Sequence, residues 1–320
     1  MNERRVSVII CVYTEKRLAD IRDAVSSVLD QSLAPSEIII SVDHNASLAD
    51  TLMKELSSQV KIVRNEEVQG LSETRNTGIR ASSGDIIAFI DDDAVADKDW
   101  LQNLTKPFEN KNVVAVGGKA VPLWANGHRP TWFPKELDWI VGCTYKGLPV
   151  KGNEIRNVPG CNMAFLKSVF NEVGLFRNDM GGINETPRGG EEAELCLRIT
   201  HKTPDYQVYF QAAAQIQHKV PSNRLTLKYI WQRAYNEGFF KTKVQRLSSG
   251  SAKSSLSSED SYLRYLLFNS LPGRLRQFYR KTSLPQVGAI LVCITATASG
   301  YLIGRVKGMA NRTSGQDNGA

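Results

Sequence analysis

The sequence predicts a layered α/β domain built on parallel strands. Three observations carry that prediction. Short β-branched runs alternate with stretches of helical periodicity, the pattern of β-α-β units. The runs show no polar alternation, as expected of strands buried on both faces. The composition, 42% hydrophobic and 23% charged over 320 residues, is that of a globular chain able to bury a large core.

Residues 6–12 (V-S-V-I-I-C-V) open the series as a buried strand. Residues 17–30 carry Leu18, Ile21, Val25, Val28 and Leu29 at helical spacing, and Pro35 closes that unit. A second strand is expected over 37–42, a helix over 49–56 and a third strand over 60–63. Residues 72–81 predict a helix that ends near Ser82-Ser83-Gly84. Residues 85–90 (D-I-I-A-F-I) predict a fourth strand, stopped by three aspartates. A short helix over 100–108 and a strand over 113–117 follow. Residues 122–149, rich in Trp, Gly and Pro, predict a long functional loop. Beyond it, 162–173 and 191–200 have helical character, 208–216 that of a strand and 225–244 that of a helix.

The C-terminal part differs. Residues 248–258 (S-S-G-S-A-K-S-S-L-S-S) are low in complexity and predict a linker. Residues 262–280 mix arginines with Leu, Phe and Tyr, as an interfacial amphipathic segment does. Residues 286–304 carry no charge, close to the length that spans a bilayer, but contain Thr295, Thr297, Ser299 and three glycines. A weak span, a re-entrant segment and a helix buried on the body are all compatible with that composition, and membrane association is the favoured expectation. The expected organisation is a catalytic domain over 1–246, a linker over 247–260, a basic amphipathic and apolar extension over 261–308 and a polar tail over 309–320.

Charge is unevenly placed. Residues 1–218 hold 24 Lys+Arg against 29 Asp+Glu, whereas 219–281 hold 13 against 3. An acidic body with a basic belt suits an anionic membrane surface or a polyanionic substrate. Nucleic acid is not expected, because no RNP-like, helix-turn-helix or zinc-finger pattern is present. The five scattered cysteines, without C-x-x-C, argue against a disulfide scaffold or zinc cluster and fit a reducing compartment. The first apolar run is too short for a secretory leader.

The strongest chemical signal is Phe89-Ile90-Asp91-Asp92-Asp93. Packed carboxylates repel unless something positive joins them, and a divalent cation with substrate phosphates is the natural partner. Asp43 ends the second strand, Arg75-Asn76-Thr77-Gly78 opens a helix, and Gly190-Glu191-Glu192-Ala193-Glu194 forms a second acidic knot. His218 follows a strand. Trp124, Trp132 and Trp139 sit in the long loop, where their faces could stack on a ligand ring or pack in the core. No glycine fingerprint follows strand one, which argues against a dinucleotide dehydrogenase.

V-S-V-I-I-C-V-Y-T, I-I-S-V-D-H-N-A, R-N-T-G, G-D-I-I-A-F-I-D-D-D, P-G-C-N-M-A-F, V-G-L-F, G-E-E-A-E-L and His218 occur in this order. Together they resemble family 2 glycosyltransferases of the GT-A fold, over about residues 5 to 240. The resemblance implies an inverting transferase that uses a nucleotide-diphosphate sugar, usually a UDP-sugar, with Mn²⁺ or Mg²⁺. It places Val12, Tyr13, Thr14 and Asp43 at the base, Arg75 near the phosphates, Asp92 at the ribose and Asp93 on the metal. It makes Glu192 the general base and His218 a second metal ligand. Trp124, Trp132 and Glu194 fall on the acceptor side. Two departures stand out. Cys11-Val12-Tyr13-Thr14 replaces the usual Pro-Thr-Tyr-Asn, and Glu191-Glu192 replaces the usual Glu-Asp, so Glu191 or Glu194 could serve as base instead. The expected acceptor is lipid-linked or a glycan, at the cytoplasmic face of a membrane. A nucleotidyltransferase on the same fold would need a glycine- and lysine-rich triphosphate loop after strand one, where Tyr13-Thr14-Glu15-Lys16-Arg17 has no glycine. A sugar-nucleotide-binding protein without turnover is the other alternative.

Overall fold

The computed structural model describes residues 4–180, 189–247 and 256–313. Among the described residues, eight strands form one mixed, curled sheet in the order β3-β2-β1-β4-β7-β6-β8-β5. The first half is as the sequence predicts. Strands β1 (Val6–Val12), β2 (Glu37–Asp43), β3 (Lys61–Asn65) and β4 (Ile86–Asp91) run parallel. They are joined by helices α1 (Leu18–Leu29), α2 (Ala46–Leu56) and α3 (Leu71–Ala81). Strand order reverses at β1, so the crevice beyond the carboxyl ends of β1 and β4 is the expected ligand position.

The second half departs from parallel winding. Asn162–Leu166, read from sequence as the start of a helix, is strand β7, antiparallel to both β4 and β6 (Val113–Trp124). Only Lys167–Val173 is helical (α5). A short apolar run such as Met163-Ala164-Phe165-Leu166 does not reveal its own period, and here pairing on both sides, with β4 and with β6, makes it a strand. Strand β6 likewise runs on through Pro122 to Trp124, shortening the expected loop, and Lys135–Val141 turns as a 3₁₀-helix.

Strand β8 (Gln207–Val220) pairs parallel with β6 and antiparallel with β5 (Ala94–Ala96). Helix α4 (Trp100–Thr105) packs on β8, and α6 (Glu191–Lys202) precedes it. The chain ends in α7 (Leu227–Leu247), α8 (Ser257–Tyr265), a π-turn over Leu266–Ser270, α9 (Leu271–Leu275) and α10 (Ser283–Thr313). The expected serine-rich linker falls largely on 248–255, outside the described residues; its last two positions, Ser257 and Ser258, belong to α8.

One apolar core joins the sheet to these helices. Val8, Ile10 and Val12 of β1 share a cluster with Ile230 and Ala234 of α7 and with Ala289, Ile290 and Cys293 of α10. Helices α7 and α10 meet at glycines. A Cβ on Gly238 would stand 2.0 Å from the Thr297 carbonyl oxygen, and one on Gly300 would stand 2.0 Å from that of Tyr235. The span Ser283–Lys307 is long and apolar enough to cross a membrane, with mean hydropathy 1.8 over its most apolar window and 33% of that window buried.

Candidate active site

Strand β4 delivers the aspartates, and the chain reversal into β5 arranges them. Ala94 lies opposite His218 across the β5–β8 ladder, and the Lys219 amide donates to the Asp93 carbonyl at 2.8 Å. This pairing brings His218, 125 positions from Asp93 in sequence numbering, to 3.2 Å of the Asp93 carboxylate and 3.8 Å of that of Asp91. Gly142 covers the ring; a Cβ there would be 3.1 Å from His218 Cε1.

Alternation along the turn separates the three aspartates. Asp91 and Asp93 share one side with His218, while Asp92 turns to Arg17 at 2.6 Å. Arg17 also reaches Asp93 at 3.3 Å, as does Arg224. Burial would raise the Asp93 carboxyl, but His218, Arg17 and Arg224 outweigh it and hold it far below the ordinary range. Burial also disfavours the charged imidazolium of His218, yet Asp93 and Asp91 push its pKa well above the usual value. Burial and the Asp93 charge push Asp92 up to about 7 against the pull of Arg17.

Asp91, Asp93 and His218 each offer a ligand atom within 4.8 Å of the others. Two carboxylate oxygens and an imidazole nitrogen suit Mn²⁺, Mg²⁺ or a similar divalent ion. Asp92 Oδ2, buried and without a hydrogen-bond partner, is a further polar atom facing this turn. The donor set therefore fits a divalent cation. Asp91 joins the set that the resemblance assigned to Asp93 and His218; the D-x-D alternation was the available signal.

The second acidic knot opens helix α6. Arg75, buried in α3, reaches Glu191 at 3.1 Å, Glu192 at 3.3 Å and the Gly160 carbonyl at 3.1 Å. Its guanidinium also lies over the Phe176 ring, 5.4 Å from the centroid. Burial and the neighbouring Glu192 charge push Glu191 up to about 8 despite Arg75. Of the pair, Glu192 is the more exposed, 16% against 4%.

Other expected residues take these places. Val12 is buried at the end of β1, the Arg17 guanidinium lies over the Tyr13 ring, and Thr14 Oγ1 accepts from the Lys16 amide. Asp43 is buried at the end of β2, accepting from Asn65 Nδ2 at 2.8 Å and the Gly70 amide at 3.1 Å. Glu194 turns away and pairs with Arg198 at 2.7 Å. Trp124 and Trp132 both pack edge-on against the buried Phe133. Trp139 instead faces the cavity described next.

A cavity of about 680 Å³ joins the chemistry to the C-terminal helices. Arg75, Asp91, Glu191 and Glu192 line one part. Tyr262, Leu263 and Leu266 from α8 and its π-turn, and Cys293, Ile294 and Tyr301 from α10, line another. Sequence reasoning missed Arg17 and Arg224, which carry no local pattern; Gly160 stood in the P-G-C-N-M-A-F motif without a role of its own, and the apolar wall comes from segments whose meeting with the site depends on long-range packing.

A nucleotide-type crevice at the strand order reversal, an aspartate and histidine cluster and a carboxylate pair define a GT-A glycosyltransferase. Comparisons with known proteins agree. Residues 7–174 match the model described as glycosyl transferase family 2. A glucosyl-dolichyl phosphate glucuronosyltransferase of Haloferax volcanii is 32% identical over 306 residues, covering 94% of this chain and 96% of the relative. A mannosyltransferase of Pyrobaculum calidifontis, solved with GDP-Man and Mn²⁺, superposes with TM-score 0.61 at 16% identity, over 94% of this chain and 88% of that one. GalNAc-T7, solved with UDP, GalNAc and Mn²⁺, gives TM-score 0.52 at 16% identity, over 84% of this chain and 57% of that one. The chain belongs to glycosyl transferase family 2 and is a glycosyltransferase.

Proposed function

We propose that this enzyme moves a sugar from a nucleotide-diphosphate sugar, a UDP-sugar in the first instance, to a hydroxyl on a lipid-linked acceptor at a membrane surface. The observation that carries this reading is the cavity: one continuous space is lined by Arg75, Asp91 and Glu192 and by apolar side chains of α8 and α10. The Haloferax relative, whose name describes a lipid-phosphate-linked acceptor, is similar along nearly the whole chain, C-terminal helices included.

Asp91, Asp93 and His218 would hold Mn²⁺ or Mg²⁺. When bound, the ion supplies charge neutralisation for the departing diphosphate. Val12, Tyr13, Thr14 and Asp43 lie at the carboxyl ends of β1 and β2, where they would border the base, and Asp92 would face the ribose. Arg17 and Arg224 would meet the phosphates. The acceptor hydroxyl oxygen attacks the anomeric carbon while the bond to the phosphate oxygen breaks. The nucleoside diphosphate leaves with the electron pair, and Glu192 takes the hydroxyl proton. Attack opposite the leaving group inverts the anomeric centre. Arg75 fixes the Glu192 carboxylate, and Glu191 completes the clamp.

The exposed side chains of Phe268, Phe278 and Tyr279 beside Arg276, Arg280 and Lys281 support docking to an anionic, cytoplasmic membrane face. The test is transfer from a panel of nucleotide sugars to a glucosylated isoprenyl phosphate, followed by mass spectrometry. A product heavier by one sugar residue, dependent on Mn²⁺ or Mg²⁺ and absent with Glu192→Gln, is expected. Transfer only to water-soluble glycans would overturn the lipid-linked reading.

A further inference from the structure

Two buried side-chain atoms on the cavity wall have no hydrogen-bond partner among the described residues: Glu191 Oε2 and the indole Nε1 of Trp139. Glu191 belongs to the carboxylate pair already described. Trp139 belongs to nothing described so far. An indole N–H is a donor only, and a buried donor left without an acceptor is rare in a folded chain. In a cavity wall it points to a partner from outside.

The fold holds this donor in place. Trp139 sits on the 3₁₀ turn Lys135–Val141. Glu136 of that turn is fully buried and accepts from Arg274 at 2.6 Å and from Ser270 Oγ at 3.0 Å. The Glu136 backbone carbonyl accepts the proton of the Tyr262 hydroxyl, and the Tyr145 ring meets that of Tyr262 edge-on, 4.8 Å between centroids. Tyr262 lines the same cavity. Burial raises the Tyr262 pKa, and the nearby Trp139 N–H pulls against that rise, yet the two groups complete no hydrogen bond. Gly142, just past the turn, packs against His218, and Glu192 lines the same space. The pair therefore faces the space beside the transfer chemistry.

What the pair offers is one donor, the indole N–H, and one acceptor, a phenolic oxygen whose own proton is committed. A phosphate or carboxylate oxygen only accepts, and would meet lone pairs at Tyr262. An ammonium only donates, and would oppose the indole N–H. A hydroxyl accepts from the one and donates to the other. Resting on the acceptor reading above, we infer that Trp139 and Tyr262 bind a non-reacting hydroxyl of the acceptor's sugar, and so set which hydroxyl is presented to Glu192. A site built to bond a substrate hydroxyl discriminates against the analogue that lacks it.

The experiment measures binding by calorimetry, without donor, to the full chain, Trp139→Phe and Tyr262→Phe. The probes are a glucosylated isoprenyl phosphate, its monodeoxy analogues and the isoprenyl phosphate without sugar. One deoxy analogue is expected to bind the wild type at least tenfold more weakly than the parent. Trp139→Phe keeps an aromatic ring and removes the N–H. It should bind the parent at least tenfold more weakly and bind that one analogue as the wild type does, the non-additivity of a shared contact. Tyr262→Phe should behave alike, and it keeps the test open if Trp139→Phe does not fold. An equal loss on the parent and every analogue would make both side chains structural and overturn the assignment. No loss in either variant, or no analogue distinguished by the wild type, would mean a bound water only and overturn it too. Isoprenyl phosphate binding as tightly as its glucosylated form overturns the hydroxyl site but leaves the lipid-linked acceptor standing. Failure of both lipids to bind sinks the acceptor reading, and the site with it.

Discussion

Gly160 lies beneath Glu192 so closely that a Cβ at position 160 would stand 1.8 Å from Glu192 Oε1 and 3.0 Å from Arg75 Nη2. Both atoms are ends of flexible side chains, so the backbone need not move to relieve the clash. Gly160→Ala is therefore expected to fold with near-native stability while displacing the Glu192 carboxylate. A general base contributes about 10²- to 10⁴-fold. The variant should lose on the order of 10²-fold in kcat with little change in the donor KM. Circular dichroism melting checks the fold, and steady-state kinetics check the loss.

Glu191 and Glu192 are expected to separate under substitution. Glu192→Gln should reduce kcat by about 10²- to 10⁴-fold with donor binding retained. Glu191→Gln keeps a hydrogen-bonding group beside Arg75 and should retain most activity. Single-turnover measurements with both variants decide the assignment; equal losses would make the pair a single unit.

The same Glu191 has a signature in stability. Its folded pKa is pushed up to about 8 from an ordinary 4.5 by burial and the Glu192 charge. Between those values the folded state holds a proton that the unfolded state has released. Stability is therefore full below about pH 4.5 and falls as pH rises through 8. Each pKa unit is worth about 1.4 kcal/mol, so the slope is measurable. Glu191→Gln should flatten it, gaining on the wild type as pH rises toward 8. Urea denaturation from pH 5 to pH 8.5, with both proteins side by side, reads the difference.

How far the sequence carries a reader can be seen at these residues. The parallel half was legible because β1, β2 and β4 are short runs rich in Val and Ile and ended by turns. The aspartates were legible because charge repulsion at a strand end is a local fact. His218 was nameable but not placeable, because its position depends on the short Ala94–Ala96 strand pairing with β8. Strand β7 was misread as helix for lack of any period in five residues. The cavity was invisible, since α7, α8 and α10 meet there only through long-range packing. Trp139 faces that cavity, while Trp124, at the end of β6, and Trp132 pack against Phe133.

Metal binding is expected to stabilise the fold through Asp91, Asp93 and His218. At one hundred times Kd, a ligand that binds only the native state adds about 2.7 kcal/mol. For a chain of this size that is a rise of several degrees in Tm. Mn²⁺ should give that rise in the wild type, and Asp93→Asn and His218→Ala should each abolish it. A full shift retained in His218→Ala would remove the histidine from the ligand set.

Membrane attachment should be peripheral, because of how α10 is held. Gly238, Gly300 and Gly304 let α7 and α10 touch along several turns, and Arg246 donates to the Gly304 carbonyl at 2.6 Å. The helix that α10 lies against carries Arg233, Glu237, Lys241, Lys243 and Arg246. Driving α10 across a bilayer would strip it from α7 or drag those charges into hydrocarbon, at a cost of about 2.5 to 3.5 kcal/mol or more for each Arg or Lys. Lying in the interface costs neither and still buries Phe268, Phe278 and Tyr279, each worth roughly 1.5 to 3 kcal/mol when fully sequestered. Flotation with anionic vesicles should therefore show binding that Phe268→Ser combined with Phe278→Ser reduces by at least tenfold. Reversing Arg276, Arg280 and Lys281 to Glu should weaken it further and remove most of its salt sensitivity, at about 1 kcal/mol per charge. Alkaline carbonate should release the wild type. Retention in the pellet through carbonate, indifferent to both sets of changes, would instead make Ser283–Lys307 a true span and require α10 to leave α7.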